Sequence, residues 1–452
     1  MAARPPTLLP SPSACSARRT ALTEAANGVQ WQGMVTARRR APSRPIWLAT
    51  TAPGRSHIWA VGLAGFCSFL DVYVTQPILP HLAKIFFASP AAAGLTISAV
   101  TLAMAISAPL IGVLADRIGR KRLIVTALLL LTAPTWLAAG APNLAALVHW
   151  RFVQGLLVPG AFVVTIAYVA EEWSDGHTAA FAMGIYVAGT VLGGVSGRVI
   201  AAMVTDVAGW RAAFSVLAGL TLLCAVAVWR MLPPAQRFLR QDDLGTAARA
   251  AAGHAVNPRL VATFAIGFNL LFMLVAMFSY VSFHLAAAPF GLGATALGLV
   301  YLAYLPSLAV IPSAGAWIGR IGHRRALRLA LLAVAGGAAL TLLADLPAVM
   351  AGLAIGSGGL FIAQTAATSY LGVEAVTARS SAAGLYASLY YVGGSLGGVL
   401  PGLLWRRFHW TGCIVLVLLA DAIALALGTR WWRELPAAAT RPSGVGWILG
   451  RG

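Results

Sequence analysis

Apolar runs long enough to cross a bilayer recur along most of this chain, with short polar breaks between them. At about 1.5 Å per helical residue, roughly 20 residues cross the hydrocarbon core. Only helices or closed barrels satisfy the backbone in lipid, and the alternation typical of barrel strands is lacking. The pattern therefore predicts an all-α membrane protein with twelve transmembrane helices, called spans 1 to 12 below: 57–81, 94–115, 123–141, 144–170, 178–204, 210–232, 259–284, 294–318, 324–343, 346–371, 380–404 and 410–432.

Composition excludes the soluble globular class. Of 452 residues, 59% are hydrophobic and 10% are charged, and the mean hydropathy is +0.80. So few charged side chains cannot cover the surface of soluble domains of this size. The net charge of +19 does not indicate nucleic-acid binding, because the basic residues are dispersed between spans and form no continuous face.

The placement of the basic residues predicts the orientation. Of 32 Lys and Arg residues, two lie inside spans, four lie on one side and the other 26 lie on the second side. By the positive-inside rule the second side is cytoplasmic. We therefore expect a multi-pass protein of the bacterial inner membrane with both termini in the cytoplasm.

Segments outside the spans divide the chain. Residues 1–56 contain eight Arg and a single acid, and we expect a disordered basic cytoplasmic tail; a transit peptide, or a true start at Met34, are alternatives. The longest internal break, 233–258, is predicted to be a central cytoplasmic loop between six-helix bundles at 57–232 and 259–434. Residues 435–452 form a second cytoplasmic tail.

The two predicted bundles resemble each other, as expected for a transporter built from an internal repeat. Gly112 and Gly119 align with Gly315 and Gly322 at an offset of 203 positions. Further glycines and aromatic residues align at an offset of 200, among them Trp210 with Trp410. The sequence therefore predicts two homologous six-helix bundles.

The break after span 2 carries the strongest motif. It fills the pattern G-x-x-x-D-R-x-G-R-K with Gly112, Asp116, Arg117, Gly119, Arg120 and Lys121. This resembles the signature loop of the major facilitator superfamily. A merely solvated basic loop would explain neither the aspartate nor the two spaced glycines.

The resemblance covers all twelve spans and implies two halves that rock about a central cavity. It implies that Asp116 meets the N-terminus of span 11 near Ser380, and that the loop arginines reach Glu171 or Glu172 at the end of span 4. We interpret the six motif residues as a conformational latch. It is one-sided, because Gly319 replaces the aspartate in the second half.

Span 4 contains Arg151, Gln154 and Gly155, which resemble the R-x-x-Q-G segment of the same superfamily. There the arginine is associated with proton coupling. An arginine inside a membrane is costly unless it is paired or hydrated, so it is a functional candidate by default. The alternative is a side chain that reaches toward the outer end of the helix.

Span 5 carries glycines four apart, which let two helices approach closely. The segment partly resembles the glycine-rich motif of superfamily antiporters and most resembles arabinose-efflux-type permeases. Helix packing alone also explains the glycines. The residues concerned are Gly189, Gly193, Gly194, Ser196, Gly197, Arg198, Asp206, Trp210 and Arg211.

Span 1 has one polar stripe, formed by Ser68, Asp71 and Thr75. Such a stripe faces protein or water, since lipid does not solvate it. Asp71 is the only acid in the middle of the first six spans, and beside Arg151 it can change protonation as its exposure changes. We therefore interpret Asp71 and Arg151 as proton-coupling residues; a static structural pair is the alternative.

Spans 7 and 10 each carry a further stripe of polar and aromatic residues. The resemblance places spans 1, 4, 7 and 10 around a central cavity, so we expect these stripes to line it. Tyr386, Tyr390 and Tyr391 on span 11 reach either this cavity or a membrane interface. Asp421 in span 12 is a second titrating site or a helix-pairing acid. The predicted cavity residues are Ser68, Thr75, Gln154, Asn269, Met273, Tyr280, His284, Phe361, Gln364 and Thr368.

These observations favour a monomeric secondary transporter that moves a small organic solute by alternating access, with proton-coupled efflux as the first hypothesis. Uptake of a sugar or organic acid is the alternative within transport, and a non-transporting sensor or scaffold is the alternative outside it. We expect no enzyme activity, cofactor or metal, since the sequence contains no nucleotide loop, metal-ligand spacing or catalytic cluster. The expected partners are the solute, protons and the lipid bilayer.

Overall fold

The computed structural model describes residues 55–173, 176–235, 254, 256–375 and 379–434, except the side chains at 55, 56, 112, 113, 116, 176, 177, 311, 312, 379 and 380. The two predicted tails, apart from residues 55 and 56, and most of the central loop lie outside these ranges. The structure also does not describe the side chains of Asp116 and Ser380 or the surroundings of Gly112.

Regular structure in the described ranges is helical, as the fold class predicted. In chain order the α-helices are α1 Arg55–Leu70, α2 Leu79–Ile85, α3 Pro90–Ile118, α4 Arg120–Ala139, α5 Leu144–Glu172, α6 Gly176–Met231, α7 Pro258–Ala286, α8 Ala294–Leu299, α9 Leu305–Ile321, α10 His323–Leu340, α11 Leu346–Glu374 and α12 Arg379–Trp431. A 3₁₀ turn, Val300–Tyr304, joins α8 to α9.

Seven of the described helices are long and apolar enough to cross a membrane, and a bent pair within 294–321 makes an eighth span. Two of the seven, α6 and α12, contain 56 and 53 residues. At about 1.5 Å per residue each is more than twice the membrane thickness. Each breaks at one non-helical residue, Gly209 or His409, and so supplies two spans.

These helices are consistent with the twelve predicted spans. Span 1 is α1, α2 and the turn between them; spans 2, 3 and 4 are α3, α4 and α5. Spans 5 and 6 form α6, and span 7 is α7. Span 8 combines α8, the 3₁₀ turn and α9; spans 9 and 10 are α10 and α11, and spans 11 and 12 form α12.

The internal repeat is visible in the backbone. Gly119 and Gly322, 203 positions apart, have φ angles of +96° and +87° and end spans 2 and 8. Gly209 and His409, 200 positions apart, have φ angles of +85° and +46°. Matching breaks at matching positions support the two homologous halves.

The N-terminal caps of spans 4 and 10 repeat as well. Asn143 accepts a hydrogen bond from the backbone N–H of Ala146 at 2.9 Å. Asp345 accepts one from the N–H of Ala348 at 3.0 Å. Asn and Asp are among the preferred N-caps, so the two halves satisfy the same helix end with different residues.

The hydrophobic core follows the same division. Two clusters of buried side chains contain first-half residues alone, and a third is built almost entirely from the second half. A fourth cluster crosses between the halves, with Val100 and Met104 of span 2 and Leu271 and Tyr391 of spans 7 and 11. The molecule therefore consists of two six-helix bundles; the exact limits 57–232 and 259–434 stay predictions.

Among the described residues, several contacts between the halves lie toward one side of the molecule. We call the side with Gly119 and Gly322 the signature-loop face, and the other side the opposite face. Ser98 donates to the carbonyl oxygen of Ser395 at 2.5 Å, nearer the opposite face. Close by, a Cβ at Gly94 would overlap the carbonyl oxygen of Gly398, so the backbones of spans 2 and 11 touch there.

Candidate functional site

Span 1 is broken in the middle of the membrane. The helix ends at Leu70, and residues 71–78 form turns in which Gln76 N–H donates to Tyr73 O at 3.0 Å. Pro77 lacks the N–H that a continuing helix needs, which explains the break. The break leaves the carbonyl groups of Asp71 and Val72 in need of other partners.

Arg151 of span 4 supplies those partners. Its side chain is fully buried, and Nη1 donates to the backbone carbonyl of Asp71 at 2.7 Å. Nη2 donates to the carbonyl of Val72, and Nε to that of Thr96 at 3.2 Å. Nη1 also donates to Oε1 of Gln154 at 2.5 Å. The guanidinium therefore stabilises the broken segment.

The Asp71 carboxylate has separate partners. Its Oδ2 accepts from the hydroxyl of Thr221 at 2.9 Å and from that of Thr135 at 3.3 Å. Thr135 also accepts from Nε2 of Gln154 at 2.7 Å, which links Asp71 to Arg151 through two side chains. Oδ1 of Asp71 is buried and has no hydrogen-bond partner among the described residues. A buried carboxylate with one free oxygen is suited to take up a proton there.

The signature loop lies at the junction of spans 2 and 3. Gly119 has a φ of +96°, which favours glycine. Arg120 forms a two-point ion pair with Glu171 at the end of span 4, with Nε–Oε2 at 3.1 Å and Nη2–Oε1 at 2.7 Å. The predicted contact between this loop and span 4 is thus confirmed. Arg117 is exposed and Lys121 half-buried, and the latch role stays a prediction.

The span 5 glycines lie against the backbone of span 1. A Cβ at Gly189, Gly193 or Gly197 would overlap a carbonyl oxygen on the facing helix, at Gly62, Phe66 or Leu70. In the second half, Gly393 and Gly397 approach span 7 in the same way. Close helix packing is therefore one established use of this stripe. Gly194 instead faces the guanidinium of Arg198.

Part of the predicted cavity lining comes together on span 10. Gln364 accepts a hydrogen bond from the hydroxyl of Tyr386 at 2.9 Å. The ring of Phe361 lies 6.1 Å from that of Tyr304 in span 8. Thr368, one turn further along, is exposed. Phe361 and Gln364 are half-buried, and their role in a substrate cavity stays a prediction.

Three predicted cavity residues of span 7 lie elsewhere. Tyr280 is fully buried and donates to the carbonyl of Gly398 at 2.7 Å. Met273 is fully buried in the core of the second half. The His284 ring stacks on Trp410 with centroids 5.1 Å apart. These contacts place the three side chains against residues other than Phe361 and Gln364.

The small polar residues of the stripes bond mainly within their own helices. Ser68 donates to Ala64 O at 2.6 Å, and Asn269 to Ala265 O at 2.8 Å. Thr75 accepts from Thr96 at 3.1 Å. Asp421 is buried, and its Oδ1 has no partner among the described residues. Of these two buried aspartates, Asp71 therefore has the more polar surroundings.

Thr135 and Thr221 were not recognised from the sequence. Both are fully buried, and other serines or threonines lie in the same two spans, so nothing in the sequence singles these two out. A threonine can bond its own helix, so its presence alone indicates no site. Only the packing of spans 3 and 6 against span 1 shows that both reach Asp71.

Comparisons with known proteins agree with this architecture. The sequence model of the Major Facilitator Superfamily matches residues 61–398. The inner membrane transport protein YnfM of Escherichia coli (strain K12) is 34% identical over 378 residues, which cover 83% of this chain and 90% of that protein. The uncharacterized MFS-type transporter YybF of Bacillus subtilis (strain 168) is 29% identical over 374 residues, or 82% of this chain and 92% of YybF.

Solved structures show the same fold at low sequence identity. A bacterial homolog of the human lysosomal transporter Spinster, in an inward-facing and occupied conformation, matches with a TM-score of 0.67 and 14% identity, over 86% of this chain and 98% of that one. A mutant of the nucleoside transporter NupG matches with a TM-score of 0.67 and 15% identity, over 83% and 98%. The chain belongs to the major facilitator superfamily and is a multi-pass membrane transporter, not an enzyme.

Proposed function

We propose that this transporter couples proton movement to the export of a small organic solute by alternating access. The observation that carries the proposal is the Asp71 carboxylate, which is buried at the break in span 1 with one oxygen unpaired. Intramembrane acids of this kind are typical of proton pathways.

Protonation of Asp71 changes the contacts around the break. The ionised carboxylate accepts from Thr135 and Thr221, which belong to spans 3 and 6. Once neutral, it attracts these donors less strongly, and Thr135 keeps its alternative bond to Leu131 O at 2.8 Å. Because Thr135 also holds Gln154, the change reaches the side chain that contacts Arg151. A proton thereby biases one arrangement of the broken span over another.

The proposed direction of transport rests on three observations. The basic breaks favour a cytoplasmic signature-loop face with both termini inside, in the bacterial inner membrane. The halves touch nearer the opposite face, so this state receives solute from the signature-loop side. Both are compatible with loading from the cytoplasm, and the partial resemblance of span 5 to the antiporter motif favours export over uptake. Each chain carries both halves, and we propose that it works as a monomer.

The test uses purified protein in liposomes that contain a pH-sensitive dye. When a transported solute is added, we expect proton flux across the membrane and accumulation of solute driven by an imposed pH gradient. Asp71→Asn should abolish both, while exchange of labelled for unlabelled solute persists, because exchange needs no net proton transfer.

Asp345→Asn is the matched control. It removes one acid, and Asn143 already caps the equivalent helix in the first half, so transport should be unchanged. Full pH-driven accumulation by Asp71→Asn would exclude Asp71 as the coupling site and direct attention to Asp421. Solute movement without any proton flux in the wild-type protein would contradict proton coupling itself.

A further inference from the structure

Arg198 of span 5 is a buried cation that has no acidic partner among the described residues. Its side chain is 5% exposed, and no carboxylate of the described residues forms an ion pair with it. Nε donates to Oε1 of Gln76 at 2.7 Å, and Nη1 to the carbonyl of Gly194 at 2.6 Å. A buried charge that is bound only by neutral groups is costly and is rarely kept without a use.

Three tyrosine rings surround this guanidinium. The Cζ atom lies 4.8 Å from the ring centre of Tyr73, 5.0 Å from that of Tyr301 and 5.3 Å from that of Tyr304. Ring faces attract a cation but add no negative charge. They shield the guanidinium from water and so strengthen its attraction for an anion that enters beside it.

Hydrogen-bond donors remain free at this position. A guanidinium has five N–H groups, and the contacts of Arg198 to described residues use one on Nε and one on Nη1. Three N–H groups, one on Nη1 and two on Nη2, therefore remain for a ligand. The hydroxyl of Tyr304 is buried and has no partner among the described residues, which adds another donor close by.

The position also joins the two halves of the transporter. Gln76, which accepts from Arg198, donates to the hydroxyl of Ser279 in span 7 at 3.0 Å. Tyr304 belongs to span 8, and its ring contacts Phe361 of the predicted cavity. A group bound at Arg198 therefore touches both bundles and has an aromatic surface beside it.

We propose that Arg198 binds the carboxylate of the transported solute, and that the substrates are small organic acids with an apolar or aromatic body. The inference rests on the proposed transport function and adds the substrate class to it. The planar fork of arginine matches the two oxygens of a carboxylate, and the tyrosine and phenylalanine rings suit the remainder of such a molecule.

The test compares binding of matched acids and amides to the purified full-length protein near pH 7.5. Benzoate is paired with benzamide, 3-phenylpropionate with its amide, and octanoate with octanamide. Apparent affinities come from the rise in melting temperature with ligand concentration. We expect at least one acid to bind tenfold or more tightly than its amide, and Arg198→Gln to remove this preference.

Arg211→Gln is the matched control. Arg211 also lies over an aromatic ring, 4.4 Å from Trp210, and donates to a backbone carbonyl, that of Ala141 at 3.2 Å, but it is exposed. The acid preference should survive this change. Arg198→Lys keeps the charge without the fork, so it should retain only part of the preference, and it provides a folded comparison if the Gln variant is unstable.

Two outcomes would overturn the proposal: no acid preference in the wild-type protein for any pair, or a full preference in Arg198→Gln. Because this measurement uses no pH gradient, its failure leaves the proton-flux experiment on Asp71 unaffected. Conversely, acid-selective binding without proton flux would support the role of Arg198 and contradict the coupling mechanism.

Discussion

The guanidinium of Arg151 donates to the backbone carbonyl of Asp71 at 2.7 Å, whereas the carboxylate of Asp71 accepts from Thr135 and Thr221. The two residues predicted to act as a charge pair therefore have different tasks in this structure. Arg151 holds the broken backbone, and the Asp71 side chain bonds to the threonines of two other spans. Their substitutions should consequently have different effects.

Arg151→Gln should destabilise the fold by about 2–5 kcal/mol, because it leaves buried carbonyls at Asp71 and Val72 without donors at ~1–3 kcal/mol each. Asp71→Asn should cost much less, since an amide still accepts from the threonines. Thermal unfolding in detergent measures both. Equal losses would mean that Arg151 acts through the carboxylate and not through the backbone.

Gly193→Ala should separate spans 1 and 5. The added Cβ would overlap the carbonyl oxygen of Phe66, and such overpacking costs about 1–3 kcal/mol. Gly184→Ala on the same helix is the control, because nothing lies within 4 Å of its new Cβ. That change should be neutral or stabilising, since alanine favours helix by about 1 kcal/mol. Comparable melting temperatures for the two variants would contradict the close approach.

His409→Gly should stabilise the protein by about 1 kcal/mol. His409 has a φ of +46° and a ψ of −137°, a conformation that costs a residue with a side chain about 1–3 kcal/mol and glycine little. The reverse test is Gly209→Ala at the equivalent break, where φ is +85°, and it should destabilise. Melting temperatures that move the other way would refute the strain at His409.

Glu171→Gln should weaken the contact of the signature loop with span 4. The ion pair with Arg120 has two short contacts, and its side chains are 9% and 27% exposed, so we expect a loss of about 1–2 kcal/mol. Glu434→Gln is the control, because Glu434 and Arg325 are 3.9 Å apart and more than 60% exposed. That pair should contribute about 0–1 kcal/mol. A similar effect of both changes on melting temperature would argue against a specific role for the loop contact.

Much of the fold could be predicted from the sequence because membrane helices carry their signal locally. Apolar length predicts the spans, and the aligned glycines predict matching breaks such as those at Gly119 and Gly322. The glycine stripe of span 5 predicted close packing for the same reason: the spacing places its members on one side of the helix.

The partners of the polar residues could not be predicted in this way. Periodicity places Tyr280 on a polar side of span 7, but it does not tell whether that side faces a cavity or Gly398 of span 11. The aromatic surroundings of Arg198 could likewise not be predicted, because its three tyrosines come from spans 1 and 8, far apart in the sequence. Such sites depend on how helices meet, and single-helix patterns carry no information about that.

The touching backbones of Gly94 and Gly398 affect the speed of transport as well as the shape of the closed side. Around them lie Ser98, Ala91, Gly402 and the hydroxyl of Tyr280. Tyr280 donates to Gly398 and belongs to the same half as span 11, so its side chain can move with that span when spans 2 and 11 part. A contact of this kind is broken by a small rigid displacement, without a sequence of rotamer changes. The activation barrier for opening this side should therefore be low, and a bulky residue at position 398 would act on turnover before it acted on affinity.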